Sequence, residues 1–192
     1  STAETLLTGS GAFGTSGDNA ELVFDPDNNK WLAIYSQNDE IVARVMTVSS
    51  SSISLGTAAD IHGTAGPQWD NRGRGLKAAY DTAADRIVLV WCDSSSNNAT
   101  RTSVVITISG TSFSVGSEVV ITNTATSDSN AYLDLVFDPQ SGKLVFIHYN
   151  GTVVDGEVYI GTCTGSSTNT CSWGSANVLV DGDGSYHNAL FD

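Results

Sequence analysis

Positive charge is scarce in this 192-residue sequence: 8 Lys and Arg stand against 21 Asp and Glu, a formal net charge of −13. A phosphate backbone or an anionic membrane surface needs a basic patch, so no nucleic-acid partner is expected. Long apolar runs are missing too. None approaches the ~20 residues of a membrane span, so no membrane insertion is expected. No segment keeps a 3.6-residue apolar period, which predicts almost no helix. What is present is a hydrophobic fraction of 40%, enough for a core and too much for wholesale disorder. The polar remainder is dominated by about 45 Ser and Thr, together with Gly and Asn.

The strongest positive signal is internal repetition. Leu22-Val23-Phe24-Asp25-Pro26 recurs as Leu135-Val136-Phe137-Asp138-Pro139. Ala78-Ala79-Tyr80-Asp81-Thr82 fills the same slot, and Ala189-Leu190-Phe191-Asp192 is a fourth copy. The Asp anchors 25, 81, 138 and 192 therefore lie about 56 residues apart. Five residues after each of the first three stands a base, Lys30, Arg86 or Lys143, expected to pair with the anchor or its neighbours. An apolar run follows: Trp31 to Tyr35, Ile87 to Trp91, Leu144 to His148. A third segment covers 41–48, 103–108 and 157–163, and a fourth ends in Gly56, Gly116 or Gly174.

These segments are short, rich in β-branched and aromatic residues, and bounded by Gly, Asn, Asp and Ser, which marks strands. The fold class expected is all-β: tandem four-stranded antiparallel repeats forming β-propeller-like blades. A chain of small β-sandwiches is the alternative, although ~56 residues is short for each unit to own a core. The division expected is 1–18 as the last strand of a preceding repeat and its loop, 19–75 as repeat 1, 76–130 as repeat 2, 131–186 as repeat 3, and 187–192 as the first strand of a following repeat. Residue 1 is Ser and the single Met is Met46, so the chain reads as a processed product or a window of a longer one. Other copies or further repeats of the same protein are the partners this implies, because three blades do not close a ring.

Register makes the cysteines readable. Val48 and Ile53 flank the turn between strands three and four in repeat 1, as Ile108 and Phe113 do in repeat 2. Cys163 and Cys171 hold these slots in repeat 3, around a turn three residues longer. Facing residues of a hairpin lie about 4.5–5.5 Å apart at Cα, which a disulfide bridges. A Cys163–Cys171 disulfide implies an extracellular or virion location. Cys92 is left over as a buried free thiol.

Ligand chemistry is expected on the side of the blades carrying the second-to-third and fourth-to-first connections. The longest connection, 61–75, holds Trp69, Asp70, Asn71 and Arg72. A ring that stacks on a sugar face, beside planar polar groups that take paired hydroxyls, suits a surface glycan. The competing role is structural, with Trp69 filling the gap between blades. Asn38, Asp39, Asp93, Asn97, Asn98, Arg101 and Asn150 are read as loop residues on the same side. No cofactor is called for. Ca²⁺ is the one candidate, at Asp181-Gly182-Asp183-Gly184 and Asp25-Pro26-Asp27-Asn28-Asn29, and both lack the terminal Glu of an EF-hand loop. Asn98-Ala99-Thr100 and Asn150-Gly151-Thr152 match the glycosylation sequon. No catalytic motif accompanies His62, His148 and His187: no Gly-x-Ser-x-Gly, no phosphate loop and no HExxH. The Ser-x-Asp-x-Gly-x-Thr-Trp box of sialidase-type propellers is absent as well.

Val136-Phe137-Asp138-Pro139, Gly142-Lys143-Leu144-Val145-Phe146-Ile147, and the stretch from Ile108 to Val120 together resemble repeats of tail-fibre and appendage proteins of bacteriophages, notably marine ones. The likeness spans nearly the whole chain and departs from the pattern at the Cys pair and at the loop with Trp69. It implies a non-enzymatic structural and adhesive module of a virion or cell-surface appendage, touching host or neighbouring surfaces, and it carries over no catalytic residue. A soluble lectin-like propeller is the alternative expectation, and a polysaccharide-cleaving enzyme the third.

Overall fold

The computed structural model describes residues 20–37, 40–62, 75–95, 98–124, 133–150, 153, 155–163 and 169–180. Among them there is no helix, and fifteen strands form three antiparallel sheets. Sheet 1 comprises β1 (Ala20–Asp25), β2 (Lys30–Gln37), β3 (Glu40–Ser49), β4 (Ser52–Leu55) and β5 (Ala59–His62). Sheet 2 comprises β6 (Leu76–Asp81), β7 (Arg86–Ser95), β8 (Asn98–Ser109), β9 (Ser112–Val115) and β10 (Val119–Thr124). Sheet 3 comprises β11 (Leu133–Asp138), β12 (Lys143–Asn150), β13 (Asp155–Thr162), β14 (Ser172–Trp173) and β15 (Asn177–Val180).

Four positions across each sheet hold these five strands. The fourth strand is broken, and both pieces pair with the third strand: β4 and β5 with β3, β9 and β10 with β8, β14 and β15 with β13. The break falls at the repeated glycine. Its amide still donates to the third strand, Gly56 to Val45 O (2.8 Å), Gly116 to Val105 O (2.8 Å) and Gly174 to Ile160 O (2.9 Å). A register shift follows in the second piece of all three sheets.

The Asp anchor folds the first hairpin. Asp25 Oδ1 accepts from the Asn28 amide at 3.0 Å. Asp81 Oδ1 accepts from the Ala83 and Ala84 amides at 2.9 and 3.1 Å, and Asp138 Oδ1 from the Gln140 amide at 2.9 Å. This is the side-chain mimicry that places Asp in turns. The residue before the base then takes the left-handed conformation: Asn29 (φ 51°), Asp85 (φ 54°) and Gly142 (φ 65°). Asn, Asp and Gly are the residues that tolerate it. Of the bases expected to pair with their anchors, Arg86 keeps a charge interaction with its own, which opposes the rise that burial gives the Asp81 carboxyl, whereas the two lysines reach across to the third strand. Lys30 Nζ donates to Thr47 Oγ1 and Lys143 Nζ to Thr162 Oγ1, both at 2.8 Å. In these two turns the anchor carboxylates of Asp25 and Asp138 are engaged by their own turns, while the Thr lies across on the third strand.

Sheets stack face to face through two shared cores, and their first strands lie side by side. In β7, Ile87, Leu89 and Trp91 enter the core with sheet 1, while Val88, Val90 and Cys92 enter the core with sheet 3. β7 thus has no solvent face, which is why it reads as a continuous apolar run. Burying each such side chain contributes about 1.5–3 kcal/mol. Because one sheet serves two cores, the units are blades in a series rather than separate sandwiches. Cys163 and Cys171 form a disulfide with Cα atoms 4.2 Å apart. Among the described residues no helix is long and apolar enough to cross a membrane.

Candidate functional site

Trp69, Asp70, Asn71 and Arg72 lie outside the described residues, as do Asn38, Asp39, Asn97 and Asp181 to Gly184. Asp93, Asn98, Arg101 and Asn150 are described, and all four are strand residues rather than loop residues. Arg101 is 1% exposed in β8 and Asn150 6% in β12. The reason is a buried polar cluster between sheets 2 and 3.

Cross-strand pairing brings its members together. Cys92 faces Arg101 within sheet 2, and His148 faces Glu157 within sheet 3. Arg101 Nη1 donates to Cys92 Sγ at 2.8 Å. Glu157 Oε1 accepts from Asn150 Nδ2 at 2.8 Å and Oε2 from the Tyr159 hydroxyl at 2.9 Å. His148 Nε2 lies 3.2 Å from Glu157 Oε2. Its Nδ1–H donates to the Tyr149 carbonyl at 2.9 Å; a carbonyl only accepts, so this nitrogen carries the proton. Phe146 stacks on the imidazole at 5.4 Å and 12°.

Burial, and then the Arg101 charge, push the His148 pKa down to about 4, against the pull of the Tyr149 carbonyl and Glu157. Burial is also the main reason that the Tyr159 hydroxyl titrates above its ordinary range. The cluster is sealed, since Arg101, His148 and Glu157 are all buried. Its chemistry is internal: a buried charge set adds little net stability and penalises a misaligned interface.

The corresponding positions between sheets 1 and 2 are mostly apolar. Ile41 stands where sheet 2 has Arg101, and Trp91 and Thr102 stand where sheet 3 has His148 and Glu157. His62 closes that boundary, its ring packed tilted against Trp91 (5.4 Å, 47°) and meeting Glu118 at 2.5 Å. Sequence reasoning missed the set around Glu157. The signal available was the register that pairs position 148 with 157.

The glycosylation match at Asn150 is corrected by the same geometry, because its amide is buried against Glu157. In the Asp25–Asn29 turn, Asp25 is engaged by Asn28 and Asp27 Oδ2 accepts from the Tyr80 hydroxyl at 2.6 Å. No group of three potential metal ligands occurs among the described residues.

The feature common to both sheet boundaries is steric. A Cβ on Gly56 would collide with the backbone carbonyl of Thr111, in the β8–β9 turn of the next sheet. A Cβ on Gly116 would collide with the carbonyl of Asn169, just before β14. Each glycine is a notch that receives the following repeat's turn. Arg86 Nη1 adds a bond to Asn169 Oδ1 at 3.2 Å, and Trp173 Nε1 bonds Ser103 Oγ at 2.9 Å across the same boundary. No protein-family model and no curated protein sequence matches the chain.

Proposed function

We propose that this chain is a non-enzymatic structural and adhesive repeat module of an extracellular appendage, of the phage tail-fibre kind. The observation that carries the reading is the repeated docking of a turn into a glycine notch, at the same register in both boundaries. Such a device adds units in series, and the chemistry buried between them is spent on alignment. The Cys163–Cys171 disulfide fits an oxidising, extracellular setting. The tail-fibre part rests on the sequence resemblance, and surface glycans are the ligand class proposed for Trp69 to Arg72.

Gold-labelled antibodies raised against the chain test the reading. Decoration of virion fibres or surface appendages in the producing material is expected. Label confined to cell interiors or to freely diffusing protein overturns it, as does release of new reducing ends from a panel of polysaccharides. A glycan array with wild type and Trp69→Ala tests the ligand class: binding lost in the variant is expected, and an array without binding removes glycans from the proposal.

A further inference from the structure

We infer that sheet 3 of one chain docks on sheet 1 of a second copy, through the same interlock that joins successive sheets within the chain. The inference rests on the series-module reading and names its partner and surfaces.

One half of the contact is on sheet 1. Leu22, Phe24, Val48 and Ile53 are 56%, 38%, 48% and 38% exposed. Their counterparts by register are buried or packed into a core in both other sheets. In sheet 2 these are Ala78, Tyr80, Ile108 and Phe113, and in sheet 3 Leu135, Phe137, Cys163 and Cys171. The Ser49–Ser52 turn beside Val48 is exposed, and it corresponds to the turn whose Thr111 carbonyl fills the Gly56 notch.

The other half is on sheet 3. Ile160 is 42% exposed, whereas its counterparts Val45 and Val105 are 1% and 2%. Leu179 is 56% exposed, whereas Ile61 is 7% and Ile121 packs against the core. Gly174 is exposed, and among the described residues only Ile160 O comes near its Cβ position, at 3.6 Å. A notch without a turn and a turn without a notch thus sit on opposite outer faces, each with apolar residues that match a buried set elsewhere in the molecule. Exposed apolar patches of this kind mark interaction sites. The contact is heterologous, so it propagates into a ring or a filament rather than stopping at a two-fold dimer.

Sedimentation velocity on the 192-residue chain over a wide concentration range tests the contact. Wild type should associate reversibly beyond a dimer. Gly174→Val fills the notch and Val48→Glu charges the other face, and each alone should weaken association at least ~tenfold. At concentrations where wild type is monomeric, circular dichroism and melting of both variants should match it, because both positions are exposed. Mixed together, the two variants retain one intact half each and should form a 1:1 complex that stops there. A wild type that stays monomeric at all concentrations, a Gly174→Val chain that associates like wild type, or a mixture without the 1:1 complex overturns the inference. Appendage labelling with a monomeric chain would remove this contact while leaving the functional reading standing.

Discussion

Gly56 and Thr111, residues of successive repeats, approach so closely that the Thr111 carbonyl occupies the place of a side chain on Gly56. The glycine is therefore a packing requirement rather than a backbone one. Gly56→Ala forces the β8–β9 turn outward and should destabilise by ~1–3 kcal/mol, as overpacking does. Gly174→Ala at the equivalent open position should change stability by less than ~0.5 kcal/mol. Urea denaturation of both variants checks this, and equal effects would refute the notch.

Asp85 meets Asp27 of the preceding repeat. The hydrogen bond to Asp27 and the repulsion between the two carboxylates raise the Asp85 pKa. A carboxylate with a raised folded-state pKa holds its proton longer in the folded state. Stability is then greatest below the unfolded value and falls as pH rises through the folded one. Asp85→Asn keeps a residue suited to φ 54° and removes the repulsion. Its melting temperature should exceed wild type at pH 7, coincide near pH 3, and converge at high salt.

His148 gives the opposite slope. Its folded pKa is lowered from the ordinary 6.5 to about 4, so between these values the unfolded chain binds the extra proton. Stability should fall as pH drops from about 6.5 to 4, by roughly 1–3 kcal/mol. His148→Phe should flatten that part of the curve of unfolding free energy against pH. An unchanged slope would assign the acid lability elsewhere.

The disulfide closes a short loop, with Cys163 and Cys171 eight residues apart in sequence. Loop-closure entropy assigns it about 2–3 kcal/mol. The double variant Cys163→Ile with Cys171→Phe installs the pair that repeat 2 uses. It should lose about this amount and no more, because the apolar contact is restored. A loss matching that of a double Ala variant would show that packing there fails.

The repeats, the Asp turns and the Cys163–Cys171 pair were legible because each is a local relation within one hairpin. The glycines were visible as a repeated letter. Their purpose was not, because the atom that fills the notch belongs to a residue some 55 positions away. Arg101 was misread for the same reason: a charged residue near a loop reads as exposed until His148 and Glu157 arrive from the next repeat. The fourth strand was read as one element with a following apolar stretch, and only the pairing of both pieces with the third strand shows a break. Trp69 to Arg72 lie outside the described residues, and their reading rests on residue chemistry alone.

The broken fourth strand also bears on solubility. A straight outer strand would present an uninterrupted ladder of free amides and carbonyls, repeated at every blade and brought to high local density wherever such modules are arrayed. That is the template on which cross-β aggregation grows. Interrupting the ladder at Gly56, Gly116 and Gly174, with a register shift after each, leaves pieces too short and too kinked to recruit another chain. The same glycine that lets the modules join by their faces keeps them from fusing along their rims.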